Sequence, residues 1–354
     1  MNDAIILKYD KYGGIVPPER TWGGIKDDYA YAITTDNNYV YVTGRTASYG
    51  NSTSNVFLLK YDKSLNPIWN ITWGGTSDDY SKAIAVYNGE PVIAGLTYSY
   101  SSNPPDILIV KFDYTGKEIW NKTWGDTGYD EGHAIAIDST GIIYVAGTTS
   151  KPGGGDKDVV VLKYDNNGVN LWPMKWGDTG DDWGYGVALG DDNEIFITGL
   201  SMIFGTSNGK EFLFKIQNNT TLDWCKLWGG EKSIDTAWDC AVDSDYVYVV
   251  GETKSYGNGK SDISLLKYNK SGDHILNKTW GTTEIEQGLG ITISSGSIYI
   301  VGGADNPPHS RDAIILKSSL YGGPPVPEHS LMIIIIVLIS IFFIILSRNK
   351  KRDN

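Results

Sequence analysis

Acid recurs at one kind of place along the chain. Asp27-Asp28, Asp78-Asp79, Asp130-Glu131, Asp181-Asp182, Asp235, and Glu284 with Glu286 each follow a Trp-Gly pair by a few residues. Carboxylates at such corners either bond turn amides or gather into a negative collar around one mouth of a fold. Two of these loops, Asp126-Thr127-Gly128-Tyr129-Asp130 and Asp178-Thr179-Gly180-Asp181-Asp182, share the Asp-x-Gly-x-Asp spacing of calcium loops, with few fixed ligands. The sequence commits to no cofactor. Calcium is the candidate these loops admit, with Asp27, Asp28, Asp78, Asp79, Asp130, Asp181, Asp182 and Asp235 as the carboxylates available to it. Just past the acids the residue type changes from one repeat of the pattern to the next: Tyr31, Lys82, His133, Tyr185, Trp238 and Leu289. Tyr29, Tyr80 and Trp183 accompany them. Aromatic faces beside carboxylates stack sugar rings and accept hydroxyl hydrogen bonds. Tyr29, Tyr31, Tyr80, Lys82, His133, Trp183, Tyr185 and Trp238 are therefore the candidate ligand-binding set, and plugging of a channel mouth is the plain alternative.

Signs of catalysis are poor. Gly205-Thr206-Ser207-Asn208-Gly209 fits Gly-x-Ser-x-Gly, but it connects two strands and opens no helix, so a nucleophile elbow fails on context. His133 with Asp130 and Glu131 could supply acid and base, yet a single histidine at a variable position is ordinarily solvated. No catalytic residue is assigned. An enzyme would require a carboxylate, a histidine and a cation converging at one mouth.

The elements that must position these residues repeat. Trp-Gly occurs at Trp22, Trp73, Trp124, Trp176, Trp228 and Trp280, spaced by 51 or 52 residues. A strand of the type Tyr41-Val42-Thr43-Gly44 keeps the same beat. So does an apolar strand ending at Lys8, Lys60, Lys111, Lys163, Lys215, Lys267 and Lys317. Gly, Asn, Asp and Ser turns separate four short strands per unit. A period of this length with four strands is a propeller blade, because a single sheet cannot bury both of its apolar faces without radial neighbours. The expected fold is all-β, a β-propeller of six to seven four-stranded blades over 1–321. Seven lysine-ended strands against six Trp-Gly corners point to an incomplete first blade, with a missing upstream stretch that held a leader and inner strands.

Trp73-Gly74-Gly75, Asp78-Asp79, Ala83-Ile84-Ala85, the Val-Tyr-Val-Thr-Gly strand, the Gly-x-Thr-x-Ser that follows, and Phe57-Leu58-Leu59-Lys60-Tyr61-Asp62 resemble SBBP-type repeats of seven-bladed surface propellers. The resemblance implies a scaffold, not a particular ligand. Asp113-Tyr114-Thr115-Gly116-Lys117-Glu118-Ile119-Trp120 is also similar to the tryptophan-docking motif of quinoprotein dehydrogenases, one residue shorter.

Beyond a Pro/Gly spacer at 322–330, Leu331 to Leu346 is apolar except for Ser340, and Arg348, Lys350, Lys351 and Arg352 follow. The expectation is a transmembrane helix over 331–347 with a basic cytoplasmic tail at 348–354, placing the large domain outside a cell membrane in a single pass. Val326-Pro327-Glu328-His329-Ser330 before that run resembles PEP-CTERM and archaeosortase sorting signals, with His329 at the second proline. A plain anchor is the simpler reading. Sequons at Asn51, Asn70, Asn121 and Asn277 suit an exterior glycoprotein.

Composition narrows the rest. A net charge of −12 argues against nucleic acid, and 41% hydrophobic residues argue against disorder. Cys225 and Cys240 fall on an outer strand of one blade and the inner strand of the next, about 14 Å apart at ~4.8 Å per strand step. Both should be free thiols. The sequence thus leans to an anchored surface propeller that binds a glycan or a surface protein. A lyase-like or quinoprotein-like enzyme and a purely structural coat protein stay open.

Overall fold

The computed structural model describes residues 2–349 except 11–13, 52, 102–103, 126, 151–155, 192–193, 203–207, 218–219, 232, 306–311 and 320–341. The fold is an all-β propeller of six blades, each an antiparallel meander. A hairpin of β1 (Asn2–Tyr9) and β2 (Arg20–Trp22) precedes them. The first blade is β3 (Asp28–Thr35), β4 (Tyr39–Thr46), β5 (Asn55–Asp62) and β6 (Pro67–Trp73). The second is β7 (Asp79–Tyr87), β8 (Glu90–Thr97), β9 (Asp106–Phe112) and β10 (Glu118–Trp124). The third is β11 (Asp130–Ile137), β12 (Ile143–Ser150), β13 (Lys157–Tyr164) and β14 (Asn170–Trp176). The fourth is β15 (Asp182–Leu189), β16 (Ile195–Met202), β17 (Gly209–Ile216) and β18 (Leu222–Trp228). The fifth is β19 (Asp235–Val242), β20 (Tyr246–Thr253), β21 (Asp262–Asn269) and β22 (His274–Trp280). The sixth has three strands, β23 (Glu286–Ser294), β24 (Ser297–Ala304) and β25 (Asp312–Ser319). All six Trp-Gly tryptophans end the fourth strand of a blade or its equivalent, β2.

Two compact units divide the chain: Met1–Lys8 with Val16–Gly184 and Phe343–Asn354, and Tyr9–Ile15 with Tyr185–Phe342. In the first unit, cores form between successive sheets. Val56 and Leu58 pack with Ile84, Leu108 and Val110, and Ile107 and Ile109 pack with Val145, Val160 and Leu162. Trp73 and Trp124 lie half-buried against these cores. In the second unit Phe196 and Leu213 pack with Val249 and Leu266, and Val250 and Ile263 pack with Ile298 and Ile300.

Each recurring sequence feature has a mechanical reason. The aspartate that opens the inner strand is fully buried, and Asp79 shows why. Its Oδ2 accepts from Gly75 N at 2.9 Å and Ser99 Oγ at 2.7 Å, and its Oδ1 accepts from Thr97 Oγ1 at 2.5 Å. Asp28 and Asp235 repeat the pattern with Thr46 and Ser48, and with Thr253 and Ser255. The Thr and Ser of Gly-x-Thr-x-Ser are thus the donors that hold this carboxylate. Its side chain also presses on the Trp-Gly corner: a Cβ on Gly74, at φ +151°, would lie 2.6 Å from Asp79 Oδ2.

The glycine of Gly-x-Thr-x-Ser answers to a bulge. The register shifts by one residue between Ala30 and Ala32, Ser81 and Ala83, Gly132 and Ala134, Ala237 and Asp239, and Gly288 and Gly290. The extra residues are Tyr31, Lys82, His133, Trp238 and Leu289, five of the six variable positions. A β-bulge bends its strand and re-aims a side chain. It also drives the Tyr80 carbonyl against β8, where a Cβ on Gly95 would come within 1.9 Å of it.

The seventh lysine-ended strand has a place of its own: β1 and β25 lie in separate sheets, and β1 with β2 belongs to none of the six blades. One expectation changes. The last residues of the apolar run do not form a helix: Phe342–Asn349 is a strand, β26, on the free edge of β1. Phe342, Phe343, Ile344 and Ile345 favour extended backbone, and the edge of β1 offers unpaired amides. No helix among the described residues is long and apolar enough to cross a membrane. The spacer and residues 331–341 lie outside the described residues, as do 350–354. Both cysteines are free, Cys240 buried and Cys225 half-buried.

One core position breaks the repeat. Glu211, 1% exposed, stands where the other complete blades place Val56, Ile107, Val159 and Ile263. Ser264 Oγ donates to its Oε1 at 2.6 Å, while Oε2 is without a hydrogen-bond partner. Burial, with Asp235 and Glu252 nearby, pushes this carboxyl well above the usual range.

Gly95→Ala should destabilise the protein by about 3 kcal/mol, read by denaturant unfolding, because backbone and not a flexible side chain must give way. For Glu211 the unfolded chain loses its proton near pH ~4.3 and the folded chain only at higher pH, so this group's contribution falls as pH rises through that interval. Glu211→Gln keeps an acceptor for Ser264. The variant should gain melting temperature over the parent at pH ~8 and lose that gain near pH ~4.

Candidate functional site

Six of the eight ligand-binding candidates come together in the first unit, on the inner strands of its three blades and the start of β15. Every constant residue of the corner is consumed by the fold. What the corner does not use is the residue after the buried acid, the bulge residue, and the first x of Gly-x-Thr-x-Ser. These hold Tyr29, Tyr80, Glu131 and Trp183; Tyr31, Lys82 and His133; and Arg45.

Cations are threaded between rings. Tyr29 and Tyr31 stack at 6.4 Å and 9°. The Arg45 guanidinium lies 4.7 Å from the Tyr29 ring and 5.2 Å from the Tyr80 ring, directly across the ladder from Tyr29. Lys82 Nζ sits 4.8 Å from the Tyr31 ring and 3.5 Å from Glu131 Oε1. Tyr129 donates its hydroxyl to Glu131 Oε2 at 2.9 Å, and His133 Nε2 lies 4.0 Å from the same oxygen. Lys157 Nζ then spans the Tyr129 and Trp183 rings at 5.9 and 5.0 Å. Tyr31 is 40% exposed, and Tyr29, Tyr80 and Trp183 are half-buried. The result is a half-open aromatic shelf carrying three cations and one central carboxylate.

Electrostatics follow from that layout. Burial raises the Tyr31 hydroxyl, opposed by Arg45. Burial and then Glu131 push the Tyr129 hydroxyl far up, so Tyr129 is a hydrogen-bond donor at neutral pH. Burial, opposed by Glu131 and reinforced by Lys82 and Lys157, pushes the His133 imidazole down to about 4. At neutral pH it is an uncharged imidazole beside an acid and an ammonium.

The acidic collar divides in two. Asp28, Asp79, Asp130, Asp182 and Asp235 are fully buried, so they face the corner and no solvent. Asp27 accepts from Asn2 N at 2.7 Å, Asp78 from the Tyr80 hydroxyl at 3.0 Å, and Asp181 from Lys157 N at 3.0 Å. Among the described residues no group of three or more His, Cys, Asp or Glu side chains is arranged to hold a metal. Asp126 of the first calcium-like loop lies outside them. Tyr185 and Trp238 belong to the second unit, where their rings pack at 4.6 Å. Asn51, Asn70, Asn121 and Asn277 are exposed, the last three on fourth strands. The Gly-x-Ser-x-Gly serine at 207 lies outside the described residues.

Arg45 and Lys157 escaped the sequence reading, and Tyr129 and Glu131 entered it only as parts of an acidic corner. Arg45 had a signal: it is the first x of Gly-x-Thr-x-Ser, where later units carry Leu96 and Glu252.

No family model matches the sequence. Over an alignment of 187 residues that covers 45% of this chain, the sequence is 27% identical to the regulatory protein FlaEY of Caulobacter vibrioides. The aligned part spans 19% of that protein's length. Among solved structures, YjhT is similar at a TM-score of 0.47 and 12% identity, covering 91% of this chain and 97% of that one. An alpha-L-arabinofuranosidase of Fusarium graminearum is similar at 0.47 and 10%, covering 90% and 98%.

His133 should remain neutral in the folded protein to below pH ~5, seen as unshifted imidazole resonances in an NMR titration. The unfolded chain takes up that proton near pH ~6.5, so His133 contributes stability above this value that is lost as pH falls toward its folded pKa. His133→Gln should flatten the stability profile across that window.

Proposed function

We propose that this protein is a surface propeller, held to a cell membrane by its C-terminal apolar segment, that binds glycans on the shelf of Tyr29, Tyr31, Tyr80 and Trp183. One observation carries the reading. The positions that the fold leaves free are filled by aromatic rings and charged side chains, and in the first unit they form one connected, half-open surface. Ring faces take the apolar faces of sugars, while Glu131 and the cations meet hydroxyls. Support for the anchor comes from the composition of 331–346 and the basic cluster after it. In water, 342–349 pair with β1; in hydrocarbon, backbone groups must be bonded within their own segment, which favours a helix. Exposed sequons at Asn70 and Asn121 fit glycan attachment on the outer strands.

A second reading has one observation in its favour. Glu131, His133 and Lys82, with Tyr129, are the carboxylate, imidazole and cation that an enzyme on this scaffold requires. A neutral imidazole there can accept a proton.

Cells expressing the full chain should bind fluorescent glycans of a class retained on an array, and external protease should abolish that binding. Tyr80→Ala should weaken it about tenfold, the scale of one lost ring contact. Binding that appears only after the cells are lysed would place the domain inside. Shortened or unsaturated glycan products, lost in His133→Gln, would establish the enzymatic reading in place of simple binding.

A further inference from the structure

We infer that the glycan taken by the shelf is acidic, bearing a carboxylate or a sulfate ester, and that Arg45 is its principal counter-charge. The inference rests on the reading of the shelf as a sugar platform, and it comes from charges that the protein does not itself balance. Arg45 is half-buried between Tyr29 and Tyr80, and no carboxylate among the described residues lies within ion-pair distance of it. Its recorded partners are tyrosines. A guanidinium has five donors, and withdrawing it from water is costly unless an anion replaces the lost solvation. Ring faces return only part of that cost. Lys157 stands in the same condition between Tyr129 and Trp183. Lys82 alone meets an acid, Glu131.

The blade scaffold does not require an arginine there. At the equivalent position of the fifth blade stands Glu252, whose carboxylate accepts from Ser261 Oγ at 3.0 Å and from Gln287 Nε2. At that of the second blade stands Leu96, buried. Arg45 is therefore particular to one blade, and the fold uses none of its donors for the corner. Three cations stand within one aromatic surface of a chain whose net charge is −12. Such a surface favours a ring that offers an apolar face and an anionic edge. The guanidinium fork matches a carboxylate or sulfate in two parallel hydrogen bonds.

The test uses the full chain in detergent micelles on an array of neutral, uronate-bearing and sulfated glycans, with a short oligonucleotide as a polyanion without sugar hydroxyl faces of this kind. The tightest hit is then titrated beside its carboxyl-reduced or desulfated counterpart, which also tells the two acidic groups apart. We expect the acidic form to bind at least about tenfold more tightly, one charge-assisted contact's worth. Arg45→Met should remove that tenfold and leave the neutral counterpart within about twofold, with Arg45→Lys between them. Lys157→Ala, at the start of its strand, should lose part of the preference and keeps the test open if Arg45→Met does not fold. Raising salt from about 50 to 500 mM should weaken only the acidic ligand. Equal binding of acidic and neutral forms would overturn the inference while leaving the sugar platform standing. Retention of no glycan of any class would overturn both, and so would an oligonucleotide that outcompetes every glycan.

Discussion

The structure depends on a buried carboxylate. At the start of each inner strand an acid sits with no exposure or almost none, and in the first, second and fifth blades its shell of hydroxyls and amides is drawn from the preceding Trp-Gly corner and from the end of the next strand. Asp79 takes Gly75 N, Thr97 Oγ1 and Ser99 Oγ at 2.5–2.9 Å. Withdrawing a carboxylate from water is costly unless such donors replace the water. In these three blades that demand accounts for the residues around it: a threonine and a serine two apart, a glycine where a Cβ would strike the carboxylate, and a tryptophan immediately before.

A second buried charge ties neighbouring sheets together within each unit. Lys60, 4% exposed, donates to the Tyr114 carbonyl at 3.0 Å, and Trp69 Nε1 donates to the same oxygen at 3.1 Å. The Tyr39 ring lies 4.1 Å from the ammonium. Lys215 and Trp224 repeat the arrangement at the Lys270 carbonyl. Burial lowers the pKa of the Lys60 ammonium. Two donors from one sheet on one carbonyl of the next set the stacking register, leaving apolar side chains to fill the space between.

With corner and clamp assigned to the fold, the bulge has a different consequence. It takes one residue per inner strand out of the ladder and frees it from the alternation that would bury or expose it. Selection can change that residue without touching the corner, and in this chain it reads Tyr31, Lys82, His133, Trp238 and Leu289. Scaffold and site are thus mechanically separate though they share a strand. The lowered pKa of the His133 imidazole arises from this placement, withdrawn from water on a framework that does not adjust to it.

Period, strand number and the structural residues of the corner could be read from the chain, because each recurs and a recurring residue answers a local requirement. The aromatic candidates were legible for the opposite reason, as changes on a constant background. Partnership was not legible. That Arg45 lies between Tyr29 and Tyr80, or that Tyr129 bonds Glu131, depends on how sheets lie beside each other, and no spacing along the chain encodes the distance between sheets. Burial was hidden too: Asp78 and Asp79 are neighbours of identical type, yet one bonds a tyrosine at the surface and the other is sealed inside. The apolar run at 331–346 shows the same boundary. Its composition determines only that its backbone must leave water, and an unpaired edge on β1 decides that its end becomes a strand.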